Sequence, residues 1–191
     1  MLIVHAGNRI DGSNRAVTRF SAAAVPAVRE RVRLVLSTLQ PVRVISNAAA
    51  GADLIVLHEA QRLGLPVDMV IPIETAEFVR QSVADQGEEW VATFHTVMHC
   101  AEDDPHSDVL VSDVAASDDW YEAANHRLLR RALSVAATGS PSTPVLALTI
   151  RPPRKADEPS MTDHFADLAE GAGLLVVTLD PTDDARTTRL G

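Results

Sequence analysis

The stretch "VRVISNAAAGADLIVLHEAQRLG" (residues 42–64) sets the frame for the whole chain. Val42, Val44 and Ile45 follow Pro41 and are β-branched, which suits a buried strand. The loop "SNAAAGAD" (46–53) then carries almost nothing but small side chains. From Ala52 the pattern reads as a helix, and Gly64 stands where a left-handed residue would close it. Strand, small-residue loop and helix in that order are the first half of a βαβ unit.

The same grammar repeats in both directions. Upstream, "LIVHA" (2–6) is a continuous apolar run that breaks into "GNRIDGSNR", and Val25, Val28, Val32, Val35, Leu36 and Leu39 then recur at helical spacing over 22–39. Downstream, "PVDMVIP" (66–72), "SDVLVSD" (107–113), "VLALTI" (145–150) and "LLVVTL" (174–179) read as further strands. Helices are expected around Phe78, Val79 and Val83, over "EEWVATFHTVMHCA" (88–101), from Trp120 to Val135 with Asp118 as its cap, and from Met161 to Ala172. Residues 96–100 fit either a strand or the end of a helix. "TGSPSTP" (138–144) and "RPPRKADEPS" (151–160) read as loops, the second exposed and mobile. Alternation of this kind implies an α/β, Rossmann-like fold, its mostly parallel sheet covered by helices on both faces. The expectation is one domain over 1–180 with a flexible tail at 181–191. In such sheets ligands sit beyond the carboxyl ends of the strands where the strand order reverses. The loops after strands one, two and five therefore come first.

Composition narrows the function classes. A hydrophobic fraction of 46% in 191 residues suits a globular chain with a real core. No apolar run approaches the ~18 residues of a membrane span. "LIVHA" is too short for a signal core, and Cys100 stands alone, so a cytoplasmic protein without disulfides is expected. With 17 basic and 26 acidic residues the formal charge is −9, which disfavours DNA binding. The basic clusters "RERVR" (29–33) and "HRLLRR" (126–131) suit the wet faces of amphipathic helices.

The two loops carry the chemistry. In "HAGNRIDGSNR", Gly7 lets backbone approach a ligand, Asn8 offers an amide and Arg9 a guanidinium suited to bidentate phosphate contact; the alternative is an ordinary surface turn. In "SNAAAGAD", small side chains leave amides open at a helix N-terminus, where the dipole favours anions. Ser46 adds a hydroxyl, and Asp53 either receives a ribose hydroxyl or favours the first helical turn by its charge. The loop is neither GxGxxG nor GxxxxGK[ST].

Taken together, "GNR" after strand one, "SNAAAGAD" after strand two and "HEAQRLGLPVDMVIP" behind them resemble the SLOG superfamily. That group unites the Rossmann domain of DNA-processing protein A (Smf) with the Lonely Guy nucleotide phosphoribohydrolases. Its loops take the forms G-[SH]-R and S-G-x-A-x-G-x-D; here they read Gly7-Asn8-Arg9 and Ser46-Asn47 through Gly51-Ala52-Asp53. The resemblance spans residues 1–100 and implies a sheet that holds a nucleotide or nucleotide derivative. Phosphates would lie against loop two and a C-terminal loop, with ribose or base nearer loop one. It also implies a homodimer through helices flanking the sheet. The Lonely Guy motif P-G-G-x-G-T-x-x-E has its only counterpart in "EPSMTDHF" (158–165). Thr162 matches the threonine, the glycines are absent, and Phe165 stands where the glutamate belongs. Binding or sensing without the hydrolase activity is therefore expected, with the output supplied by a separately encoded effector protein. The alternative is an N-glycosidic-bond hydrolase using Glu59, Glu122 or Asp53.

Other candidates are weaker. Tyr121 and Asn125 share a helix face that either lines the crevice mouth or, for Tyr121, turns to the core with Glu122 solvated. Glu59 offers an acid or base beside a ribose, or else a partner for Arg62 or His58. His95, His99, Cys100 and His106 invite a metal reading, but zinc sites want three or four ligands with support behind them, and no metal is expected.

Overall fold

Each apolar run becomes a strand, the four inner ones buried on both faces and the two edge ones partly exposed, and all six pair in parallel. The computed structural model describes residues 1–12, 17–112, 120–138, 143–154 and 160–183. The strands are β1 (Leu2–Gly7), β2 (Arg43–Ser46), β3 (Val67–Ile71), β4 (Asp108–Val111), β5 (Val145–Ile150) and β6 (Leu175–Leu179). Between them run α1 (Val25–Leu39), α2 (Ala52–Arg62), α3 (Thr75–Ser82), α4 (Glu88–Asp103), α5 (Trp120–Ala137) and α6 (Met161–Gly171). The spatial order is β4-β3-β2-β1-β5-β6. The chain thus walks outward from β1 to β4 and then returns to the other side of β1. The order reverses between β1 and β5, where Gly7 pairs with Ile150.

Alternate residues of the strands feed two cores. Ile3, Val44, Met69 and Leu148 pack with α1, α2 and α4 on one face, while Val4, Ile45, Val70 and Ala147 meet Leu128, Ala132 and Phe165 on the other. An α/β sheet sandwiched by helices is what the alternation demanded.

Local readings resolve physically. Residues 96–100 continue α4, whose buried stripe Trp90, Phe94, Val97 and Ala101 has helical period. The helix expected from 22 opens as a 3-10 turn, Ala22–Ala24, and becomes α1 at Val25, with Pro26 where a missing amide costs no bond. Asp118, and residues 139–142, 155–159 and 184–191 of the segments read as loops or tail, lie outside the described residues.

The basic clusters are less solvated than their helical spacing implied. Arg29 reaches Glu59 (3.1 Å), and Arg31 donates to the Asp180 carbonyl (2.7 Å). Arg131 donates to Asp68 (2.7 Å), a fully buried carboxylate near the start of β3 that Arg43 also contacts. The Arg43, Asp68 and Arg131 charges brace the amino ends of the strands, away from the tips that carry the site.

Candidate functional site

Two small residues let the loops after β1 and β2 touch. A Cβ built on Gly7 would stand 2.3 Å from the Ala52 Cβ, so only glycine lets the tip of β1 lie against the start of α2. Gly51 has φ 116°, a backbone state for which side-chain-bearing residues are strained. It pairs with Arg9 in an isolated antiparallel bridge. Ile10 N donates to Ala50 O and Ala52 N to Asn8 O, both at 3.2 Å. The loops are stitched into one rim.

Beyond that rim opens a cavity of about 370 Å³, within the range of small-molecule sites. Ala6, Gly7, Asn8 and Asp53 form its floor, with Asn47 and Ala49 beside them. One wall is residues 9–12 with Arg19; another is Phe78 and Ser82 of α3 with Asp85 and Gln86. The third comes from Trp120, Tyr121, Ala124 and Asn125 of α5, and the last from Ser160, Met161 and Thr162 at α6.

A buried proton-binding unit underlies the floor. Asp53 accepts from Gly7 N (3.1 Å) and, at the limit of bonding, Ala49 N (3.4 Å). His5 Nδ1 lies 3.0 Å from Ser46 Oγ and 3.5 Å from Asp53 Oδ1. Burial pushes the Asp53 carboxyl up to about 7, outweighing the opposing amide bonds and the Arg9 charge. Burial likewise drives His5 down to about 3. The three side chains are no nucleophilic triad: Ser46 is fully buried, and Ser46 and Asp53 both face the same imidazole nitrogen.

Around the walls, Arg9 Nη2 pairs with Asp85 across the opening. Thr162 Oγ1 donates to Asn8 Oδ1 (2.9 Å), tying α6 to loop one. Asn125 Nδ2 donates to the Met161 carbonyl (2.8 Å). Tyr121 stacks on Trp120, their centroids 3.6 Å apart and planes 26° apart, and keeps 37% of its surface exposed. Among the described residues, four buried polar atoms of this lining have no protein partner: Asn8 Nδ2, Arg9 Nε, Asn47 Oδ1 and Ser82 Oγ. Thr162→Val should cost about 1–2 kcal/mol in thermal or urea unfolding, because it leaves Asn8 Oδ1 buried and unpaired.

No family model and no curated protein matches the chain. What the site can do therefore rests on its own residues.

Of the residues singled out in the sequence, Gly7, Asn8, Arg9, Asn47, Asp53, Tyr121, Asn125 and Thr162 line one cavity. Ser46, Gly51 and Ala52 do not; they hold its floor from behind. The amides of loop two, read as open to phosphate, are committed in part: Ala50 N donates to Ser82 O, Ala52 N to Asn8 O and Ala49 N to Asp53. Glu59 is fully buried beneath Arg29 and beside His58, outside the lining, so it cannot meet a ribose there. Glu122 is exposed and also outside it. Tyr121 faces the opening, and its neighbour Trp120 is the buried one. His95 and His99 are exposed on α4, and among the described residues no three His, Cys, Asp or Glu side chains are grouped to hold a metal. Nor, among these residues, is any helix long and apolar enough to cross a membrane.

The sequence reading missed His5, Arg19, Phe78, Ser82, Asp85 and Ser160. His5 carried a signal, an imidazole inside an otherwise apolar buried strand. Ser82 and Asp85 carried none, since they come from a helix and turn remote from both loops.

Proposed function

We propose that this cavity binds a nucleotide or nucleotide derivative, and that the protein is a ligand-binding or sensing module of the SLOG type without the Lonely Guy phosphoribohydrolase reaction. The observation that carries the reading is the set of buried, unpartnered polar atoms around one hollow. Polar groups deprived of water almost always have a partner, so four orphans on residues that line one space point to a polar guest. Asn8 Nδ2 and Arg9 Nε are donors suited to anionic oxygens. Asp53 suits a ribose hydroxyl, and the Trp120–Tyr121 stack offers its outer face to a base. A separately encoded partner would carry the output.

Calorimetry with AMP, GMP, CMP, UMP and NAD tests this. Arg9→Ala should weaken whichever nucleotide binds by about 1–3 kcal/mol, the worth of a charge-assisted hydrogen bond. No binding to any of them, or unchanged affinity in the variant, would refute the assignment.

A second reading, N-glycosidic cleavage, is favoured by one observation. The Asp53 carboxyl, held near 7, sits on the cavity floor poised to exchange a proton at neutral pH. Release of free base from the same nucleotides, abolished in Asp53→Asn, would establish it over simple binding.

A further inference from the structure

The ion pair between Arg9 and Asp85 is not needed to hold the two walls it joins. Arg9 lies on the loop after β1, and Asp85 in the 3-10 turn Ala84–Gln86 that follows α3. Both backbones are moored to the loop after β2 without it. Arg9 pairs with Gly51 in the antiparallel bridge, and Ala50 N donates to the carbonyl of Ser82 (2.9 Å), just ahead of the turn. The turn closes on itself through Gln86 N and the Val83 carbonyl (3.1 Å). Parting the two side chains therefore leaves loop, turn and rim in place.

The pair is also built to exchange partners. The Arg9 and Asp85 side chains are 30% and 48% exposed, so water screens their attraction and the hold is weak. On release the Asp85 carboxylate keeps a second partner, because its Oδ2 accepts from Gln86 Nε2 (3.0 Å). Arg9 stands between that carboxylate at the mouth and Asp53 on the floor, on which its charge also acts. A guanidinium takes carboxylate and phosphate in the same planar fork, so the two compete for it. A phosphate monoester, with a charge of about −1.5 to −2 at pH 7 and three acceptor oxygens, displaces a carboxylate there.

We infer that the Asp85 carboxylate is an internal competitor for the ligand's phosphate, holding Arg9 until a nucleotide enters and takes it. The inference rests on the nucleotide reading above and adds to it an autoinhibitory contact at the mouth. Any phosphate that reaches Arg9 must first break the ion pair. A lone phosphate gains little by that exchange, whereas a nucleotide offsets the loss with the contacts of its base and ribose.

Titration calorimetry at fixed ionic strength tests it, with AMP, GMP, CMP and UMP and the four matching nucleosides, on the parent, Asp85→Asn and Glu88→Gln. Glu88 is exposed, follows the turn and does not line the cavity, so its variant loses the same charge without freeing Arg9. A monophosphate should bind Asp85→Asn about two- to fivefold tighter than the parent, the range of an exposed ion pair. Its nucleoside should gain nothing, and Glu88→Gln should match the parent. Asp85→Ser removes the same carboxylate and gives the same readout if the asparagine variant unfolds. Monophosphate affinity that is unchanged or weaker in the Asp85 variant overturns this inference and leaves the nucleotide reading standing. An equal gain in Glu88→Gln, or with the nucleoside, does the same. Absence of binding by every monophosphate, to the parent and to the Asp85 variant, overturns both.

Discussion

Gly51→Ala is expected to cost about 3–5 kcal/mol and to lower the melting temperature on the order of 10 °C. Two independent penalties add at this position. The backbone at φ 116° is open to glycine and strained for alanine. The new methyl would also stand 2.7 Å from Ile10 N and 2.9 Å from Asn8 O, both backbone atoms that cannot rotate away. Relief requires the two loops to part, which breaks the Arg9–Gly51 bridge and widens the floor beside Asn8. Nucleotide affinity should therefore fall with stability. Gly171→Ala, where a Cβ meets nothing within 4 Å, is the control and should unfold like the parent or slightly later. Equal melting temperatures for both variants and the parent would show that the rim is not closed as described.

The second large effect is on pH dependence. A folded-state carboxyl at about 7 binds a proton more readily than the unfolded one, so the stability it carries is complete below pH 4 and is lost as pH rises to 7. A folded-state imidazole at about 3 does the reverse, losing its contribution as pH falls from 6.5 toward 3. Between about pH 4 and 6.5 the folded pair holds one proton, on Asp53, and the unfolded pair also holds one, on His5. The two slopes cancel. Asp53→Asn removes one of them and exposes the other, so the variant should lose about 1.4 kcal/mol per pH unit relative to the parent, roughly 3 kcal/mol from pH 6.5 to pH 4. Urea unfolding of both proteins across that range measures it. Parallel pH profiles would contradict the placement of that proton on Asp53 beneath the site.

The sequence made the fold legible because its apolar runs are long, β-branched and cleanly interrupted. "LIVHA", "VRVIS" and "VLALTI" each became a buried strand, and the rule that sites form where strand order reverses brought attention to Gly7 and to the loop before Asp53. The convergence of those loops depends on Gly51 and Ala52, and their small size was visible in the sequence. The identity of the opposite wall was not. Ser82 and Asp85 enter through the packing of α3 and the turn after it, and nothing in "FVRQSVADQ" distinguishes a cavity wall from an amphipathic surface helix. Glu59 was ambiguous for a similar reason. Its fate is set by Arg29, thirty positions away on α1, and only tertiary packing chooses between that partner and a ligand. Trp120 and Tyr121 are neighbours on one helix, and which ring turns inward is decided by a helical phase finer than periodicity reads.

Among the described residues the cavity is assembled from five separated parts of the chain, residues 6–12 with Arg19, 47–53, 78–86, 120–125 and 160–162. No single segment contains enough of it to hold a guest, so whatever binds does so only to the fully assembled protein. Every occupied molecule is thereby withdrawn from the unfolding equilibrium, and a ligand at a hundred times its dissociation constant should add about 2.7 kcal/mol to the resistance of the entire chain. The protein's own melting curve is a ready-made assay for its guest, open to any metabolite collection without a label or a reaction.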